Sequence, residues 1–119
     1  GGPHAPPAYP AAYDKSVSVT AIDYRLRPYK NANRGDYLTV AAPGVNIWTP
    51  TWLGGKYRTG TSYAAPHATA AVALIRKHSP DLGYKELHRR LQQHSYDLGA
   101  PGKDPVFGWG LLKAPMVCE

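Results

Sequence analysis

The 119 residues carry 14 Lys and Arg against 8 Asp and Glu, a formal charge of +6, and that length holds one domain with a real core but not two. With 43% hydrophobic and 18% charged residues the chain is globular rather than disordered, and its one cysteine, Cys118, excludes an internal disulfide framework or a multi-cysteine metal site. No apolar run is long enough to span a bilayer, and Gly1-Gly2-Pro3-His4 is not a signal peptide.

Residues 1–13, rich in Pro, Ala and Tyr, predict an extended start, because each proline fixes its own φ and biases its predecessor away from helix. Residues 16–22 alternate polar and apolar and are rich in β-branched side chains, which predicts a strand. The polar stretch 23–36 is a loop or hairpin. It holds the densest basic group, Arg25, Arg27, Lys30 and Arg34, interleaved with Tyr24 and Tyr29. That pattern would suit a stacking groove for single strands. No nucleic-acid motif accompanies it, so it reads as a solvated loop and no nucleic-acid partner is expected.

Residues 38–42 predict a second strand closed by Pro43-Gly44, and residues 45–49 a third extended piece. The stretch 50–61, with Gly54, Gly55 and Gly60, reads as loop. From Ser62 an alanine-rich helix runs to Arg76-Lys77-His78, whose charges suit the negative pole at its end. Its near-absence of polar residues before Arg76 predicts a buried helix. A second, amphipathic helix covers about 84–93, with Tyr84, Leu87, Leu91 and His88 facing inward, and 108–112 is a closing strand or turn. The five histidines are scattered without metal-ligand spacing.

One segment carries chemistry: Gly60-Thr61-Ser62-Tyr63-Ala64-Ala65-Pro66-His67, where a glycine-bearing loop meets the start of the alanine-rich helix. A hydroxyl there faces unpaired N–H groups and the positive pole of the helix, donors able to hold a developing oxyanion. Taken alone, Ser62 reads rather as an ordinary helix cap.

The pattern Gly-Thr-Ser-x-Ala-x-Pro-His resembles the serine signature of the subtilisin-like serine peptidases, the subtilases, and every fixed position matches. The flanks resemble the family in the same order: Tyr9-Pro10-Ala11-Ala12-Tyr13 followed by residues 17–23, then Ala42-Pro43-Gly44, then residues 107–114. The resemblance implies an α/β fold, the C-terminal portion of a three-layer α/β/α sandwich with a mainly parallel sheet. The Ser62 helix would be central and the 84–93 helix would cover an outer face.

It implies endopeptidase chemistry with Ser62 as nucleophile and the Ser62 N–H as half of the oxyanion hole, while His67 would be structural. Tyr63 stands where the family often has methionine. Arg58, Thr59 and Tyr63 would border the leaving-group side of the cleft, and Ala8 and Ala11 the floor of the pocket for the residue before the scissile bond. A carboxylate that ligates calcium in some members is replaced by Thr39, so no metal or other cofactor is expected in this segment, although calcium could bind elsewhere in an intact parent. The family is usually secreted or held at the cell envelope, and no membrane partner is implied.

The family's Asp-Thr/Ser-Gly and His-Gly-Thr segments and its oxyanion asparagine are not in these 119 residues. Gly1-Gly2-Pro3 resembles the residues directly after that asparagine. The whole stretch 1–119 is therefore expected to be the C-terminal part of a subtilase catalytic domain, inactive by itself. Its expected partners are a peptide or protein substrate and the missing N-terminal part. The competing expectation is a non-catalytic interaction module, either a degenerate subtilase or a basic binding domain.

Overall fold

The computed structural model describes residues 1–113; Ala114 and Cys118, named above, lie outside the described residues. In chain order the elements are β1 (Val19–Ile22), β2 (Val40–Pro43), β3 (Ile47–Thr51), β4 (Gly54–Arg58), α1 (Thr61–His78), α2 (Tyr84–Gln93), β5 (Ser95–Tyr96) and β6 (Leu111–Leu112). Four strands form one sheet in the order β1-β2-β6-β5. β1, β2 and β6 run parallel and β5 joins β6 antiparallel, so the sheet is mixed and mainly parallel.

Small and β-branched residues suit the inner strands because two helices must approach them closely. Ala64, Ala68, Ala71 and Ile75 form the buried stripe of α1, at the spacing that puts residues on one helical face. Ala68, Ala71 and Ile75 join Leu87 and Leu91 of α2, Val40 and Leu112 in one core cluster. The described residues therefore build a sheet with one helical layer; a second helical layer is not among them. This is narrower than the full burial predicted for α1, since Pro66, His67, Thr69 and Ala70 are exposed. Tyr84, expected on the inner face of α2, is 37% exposed, with the Lys15 ammonium 5.3 Å from its ring centroid.

Two further expectations change. The stretch 50–61 is not wholly loop: β3 and β4 form an antiparallel hairpin with Ile47 opposite Arg58 and Thr51 opposite Gly54. Trp48 and Tyr57 meet edge-on across it, centroids 5.2 Å apart, a cross-strand aromatic pair of the kind that holds a hairpin. Residues 1–13 form turns rather than an extended run. Asn33 holds their start, its Oδ1 accepting the Gly2 N–H at 3.1 Å and its Nδ2 donating to the Pro6 carbonyl.

The closing segment explains its own Gly-Trp-Gly. The Trp109 N–H donates to the Thr39 carbonyl at 2.7 Å, and the Ala41 N–H to the Gly110 carbonyl at 2.8 Å. Gly110 has φ +115°, and a Cβ there would lie 2.0 Å from the Tyr96 carbonyl oxygen. Only glycine lets β6 slot between β2 and β5.

Beside α2 lies a small cavity lined by Asp14, Ser16, Asp36, Thr39, His88 and Lys103, with Tyr13 and Tyr37 at its walls. The Lys103 ammonium reaches into it and donates to the Asp36 carbonyl at 2.9 Å. His88 Nε2 is buried with no hydrogen-bond partner among the described residues. Burial, and secondarily the Lys103 charge, push the His88 pKa below its usual 6.5.

The start of α1 is set by a contact of backbone on backbone. The Gly60 N–H donates to the Gly44 carbonyl at 2.8 Å. A Cβ on Gly44 would fall 2.6 Å from Ala21 Cβ, 2.8 Å from the Gly60 carbonyl oxygen and 3.1 Å from Ala64 Cβ. The end of β2 thus touches the first turn of α1 with no room for a methyl group. Gly44→Ala should destabilise the protein by about 1–3 kcal/mol, the usual cost of overpacking, measured as a lowered midpoint in thermal or urea unfolding.

His88 predicts a pH dependence of stability. A base whose folded pKa is depressed binds fewer protons folded than unfolded, so stability is full above the unfolded pKa and falls as pH drops toward the folded one. Unfolding midpoints should therefore decline as pH falls below 6.5, and His88→Gln should flatten that first part of the decline.

Candidate active site

Local sequence fixes where Ser62 sits. Gly60, with φ 156° and ψ 160°, is the N-cap of α1, and no side chain caps the helix. Ser62 is therefore the second helical residue and not the cap that the sequence alone allowed. Its side chain is exposed, and its hydroxyl makes no hydrogen bond among the described residues. The Tyr63 N–H turns back to the Gly60 carbonyl at 3.0 Å, whereas the Ser62 N–H has no acceptor among the described residues. No acidic side chain lies in the first turn. A hydroxyl and a free N–H on the same residue, at the positive end of an 18-residue helix, form a small site ready for negative charge.

Pro66 is the sixth residue of α1 rather than part of its first turn. Lacking an N–H, it cannot donate to the Ser62 carbonyl four residues earlier. His67 follows Ser62 by five residues, which on a helix is a net rotation of about 140° and about 1.4 turns along the axis. The structure thus separates Ser62 from the histidine of the motif.

Three of the other expected residues line two separate cavities. Ala8 and Ala11 line one small cavity of about 110 Å³ together with Thr61, the neighbour of Ser62. Thr59 lines a second, larger cavity of about 460 Å³ with Val45 and the loop residues Arg27, Tyr29 and Lys30. Thr59 lines one cavity and Thr61 the other, with Gly60 between them in the chain and Ser62 directly afterwards. Thr59 is anchored from behind, its Oγ1 accepting the Asn46 N–H at 2.9 Å. Arg58 and Tyr63 line neither cavity. Arg58 closes β4 with its Nε buried and unpartnered among the described residues, and the Tyr63 ring lies over Gly60, where a Cβ would be 3.6 Å from Tyr63 Cδ2.

Sequence reasoning missed the approach of Arg27, Tyr29 and Lys30 to Thr59, which are about thirty residues away in the chain and leave no local signal of their meeting. It also missed Lys103. Thr39, at the position of the calcium ligand in the resembling family, is 2% exposed and spends its Oγ1 on the Ser18 N–H at 3.0 Å. The cavity beside it already receives the Lys103 ammonium, and among the described residues no cluster of three or more His, Cys, Asp or Glu could hold a metal. These residues do not fit a calcium ion, which needs several free oxygens.

The geometry of an exposed serine at a glycine-entered helix start has clear parallels. The pattern of the subtilase family matches residues 1–110. The minor extracellular protease Epr of Bacillus subtilis is 38% identical over 110 residues, covering 91% of this chain and 17% of that protein. Subtilisin DY of Bacillus licheniformis is 36% identical over 113 residues, or 93% of this chain and 40% of that one. The crystal structure of fervidolysin from Fervidobacterium pennivorans, a keratinolytic enzyme related to subtilisin, superposes with a TM-score of 0.79 at 30% identity, over 89% of this chain and 19% of that one. The chain spans less than half the length of each of these relatives. Matched over nearly all its length and sharing the fold and the motif order, this chain belongs to the subtilase family of serine peptidases.

Proposed function

We propose that Ser62 is the nucleophile of a serine endopeptidase. The observation that carries this reading is the unengaged Ser62 hydroxyl beside its own unbonded N–H at the start of α1. Ser62 Oγ attacks the carbonyl carbon of a peptide bond, and the new oxyanion accepts the Ser62 N–H, the kind of stabilisation that dominates acyl transfer. The hydroxyl proton goes to a histidine, which returns it to the departing amine; a carboxylate orients that histidine. Both groups, and a second oxyanion donor, come from a preceding segment of the catalytic domain. The cavity of Ala8 and Ala11 takes the residue before the scissile bond, and Arg58, Thr59 and Tyr63 border the leaving-group side. His67 stays outside the chemistry.

A non-catalytic interaction module is the competing reading, favoured by the lack of a hydrogen-bonded base at Ser62 among the described residues. The substrate is a peptide or protein, and the working compartment is outside the cell or at its envelope, as the name of the extracellular relative suggests. Among the described residues no helix is long and apolar enough to cross a membrane. No cofactor enters the reaction, and Lys103 supplies the cavity beside Thr39 with its positive charge in place of a metal ion.

In the intact enzyme Ser62→Ala should lower kcat by about 10⁴-fold or more with little change in KM, as loss of a nucleophile does. The 119-residue chain alone should not cleave a chromogenic peptide above background; cleavage by that chain, abolished by Ser62→Ala, would refute the need for an outside base. For the metal, terbium added as a calcium substitute should give no emission sensitised by the cavity tyrosines Tyr13 and Tyr37. Emission that disappears in Thr39→Val would show a cation bound there.

A further inference from the structure

The basic loop after β1 has the composition of a merely solvated segment, yet the fold gives it a definite position. Asp23 organises it: Oδ1 accepts the N–H groups of Arg25 and Arg27, each at 2.9 Å, and Oδ2 accepts Arg27 Nε at 2.9 Å. The Arg27 backbone N–H foremost, with the Arg27 guanidinium, keeps the Asp23 carboxyl below its usual range and so ionised. The Tyr29 N–H donates to the Ala21 carbonyl at 2.8 Å, folding the loop back onto the end of β1. Arg27, Tyr29 and Lys30 consequently share the cavity of about 460 Å³ with Val45 and Thr59.

The charge of that cavity follows directly. Asp23 and Arg27 offset one another through their ion pair, whereas Lys30 has no ion-pair partner among the described residues. One positive charge is left over, beside an aromatic ring and a valine. The position follows as well. Thr61 lines the cavity of Ala8 and Ala11, and Thr59 lines the cavity of Lys30. A peptide held across Ser62 with its acyl side toward Ala8 and Ala11 therefore sends its leaving-group side toward Lys30.

We propose that this cavity receives an acidic side chain, Asp or Glu, from the leaving-group side of the substrate, with Lys30 as its counter-charge and Tyr29 and Val45 packing its methylene groups. The assignment rests on Ser62 as nucleophile and adds the substrate class that the site prefers. Lys30 is a specificity residue here and takes no part in bond breaking.

The test uses the intact enzyme and matched quenched peptides that differ only in Glu or Gln at the positions just after the cleaved bond. The Glu peptides should have the higher kcat/KM, by about three- to fivefold at low salt, the scale of an exposed ion pair. The ratio should approach one at about 1 M salt, where screening is nearly complete. Lys30→Glu should reverse the preference, while Lys85→Glu, on the exposed side of α2, should keep it. Equal rates for the two peptides, or a preference that survives in Lys30→Glu, would overturn the proposal and leave the peptidase reading standing. A peptidyl anilide, which has no residues after the cleaved bond, separates the two failures: if the wild-type enzyme does not hydrolyse it in a Ser62-dependent manner, the peptidase reading and the proposal fall together.

Discussion

Gly44 and Gly60 meet backbone to backbone, and the position of Ser62 at the start of α1 follows from that meeting. The Gly60 N–H binds the Gly44 carbonyl at 2.8 Å, with Ala21 and Ala64 filling the space that larger side chains would need. Ala21, Ala42 and Ala64 form their own small core cluster at this point. A close approach of this kind has little freedom, because densely packed interiors do not deform gradually. The first turn of α1 is held against the sheet, and Ser62 projects from it into solvent. The β3–β4 hairpin then only has to carry the chain outward and back between Gly44 and Gly60.

The same arrangement explains how an exposed serine can matter. No acidic side chain lies in the first turn of α1, and in the proposed reaction dipoles fixed by a packed helix start need no reorganisation when negative charge develops. Charged side chains are placed outside that centre instead. Lys30 and the Asp23–Arg27 pair share a cavity with Thr59, and Lys103 shares the cavity beside α2 with Thr39 and His88. In the proposed reaction, substrate choice is therefore set by charges that do not touch the reacting atoms.

Much of this is legible in the sequence, and the exceptions have physical causes. The alternation of residues 16–22 and the alanine spacing of α1 locate β1 and α1, because burial on one face imposes a period. The serine motif locates Ser62. The β3–β4 hairpin is not legible because Pro50 lies within β3 and Gly54 and Gly55 within β4; both residue types argue against a strand. The hairpin's backbone ladder is joined by the Trp48–Tyr57 contact, a pairing across nine residues. Local propensity says nothing of such a pairing. The half-exposure of α1 is hidden as well, because apolar composition reports what a helix can bury, whereas actual burial depends on what lies opposite. Lys103 over Asp36 spans 67 residues, beyond the reach of any local pattern.

The central claim is that Ser62 is the one activated hydroxyl of the intact enzyme. Labelling that enzyme with a fluorophosphonate and mapping the adduct by mass spectrometry tests this most directly. Stoichiometric modification is expected on the peptide containing Ser62, with activity lost in parallel. An adduct on a different residue, or full inactivation with Ser62 unmodified, would contradict it.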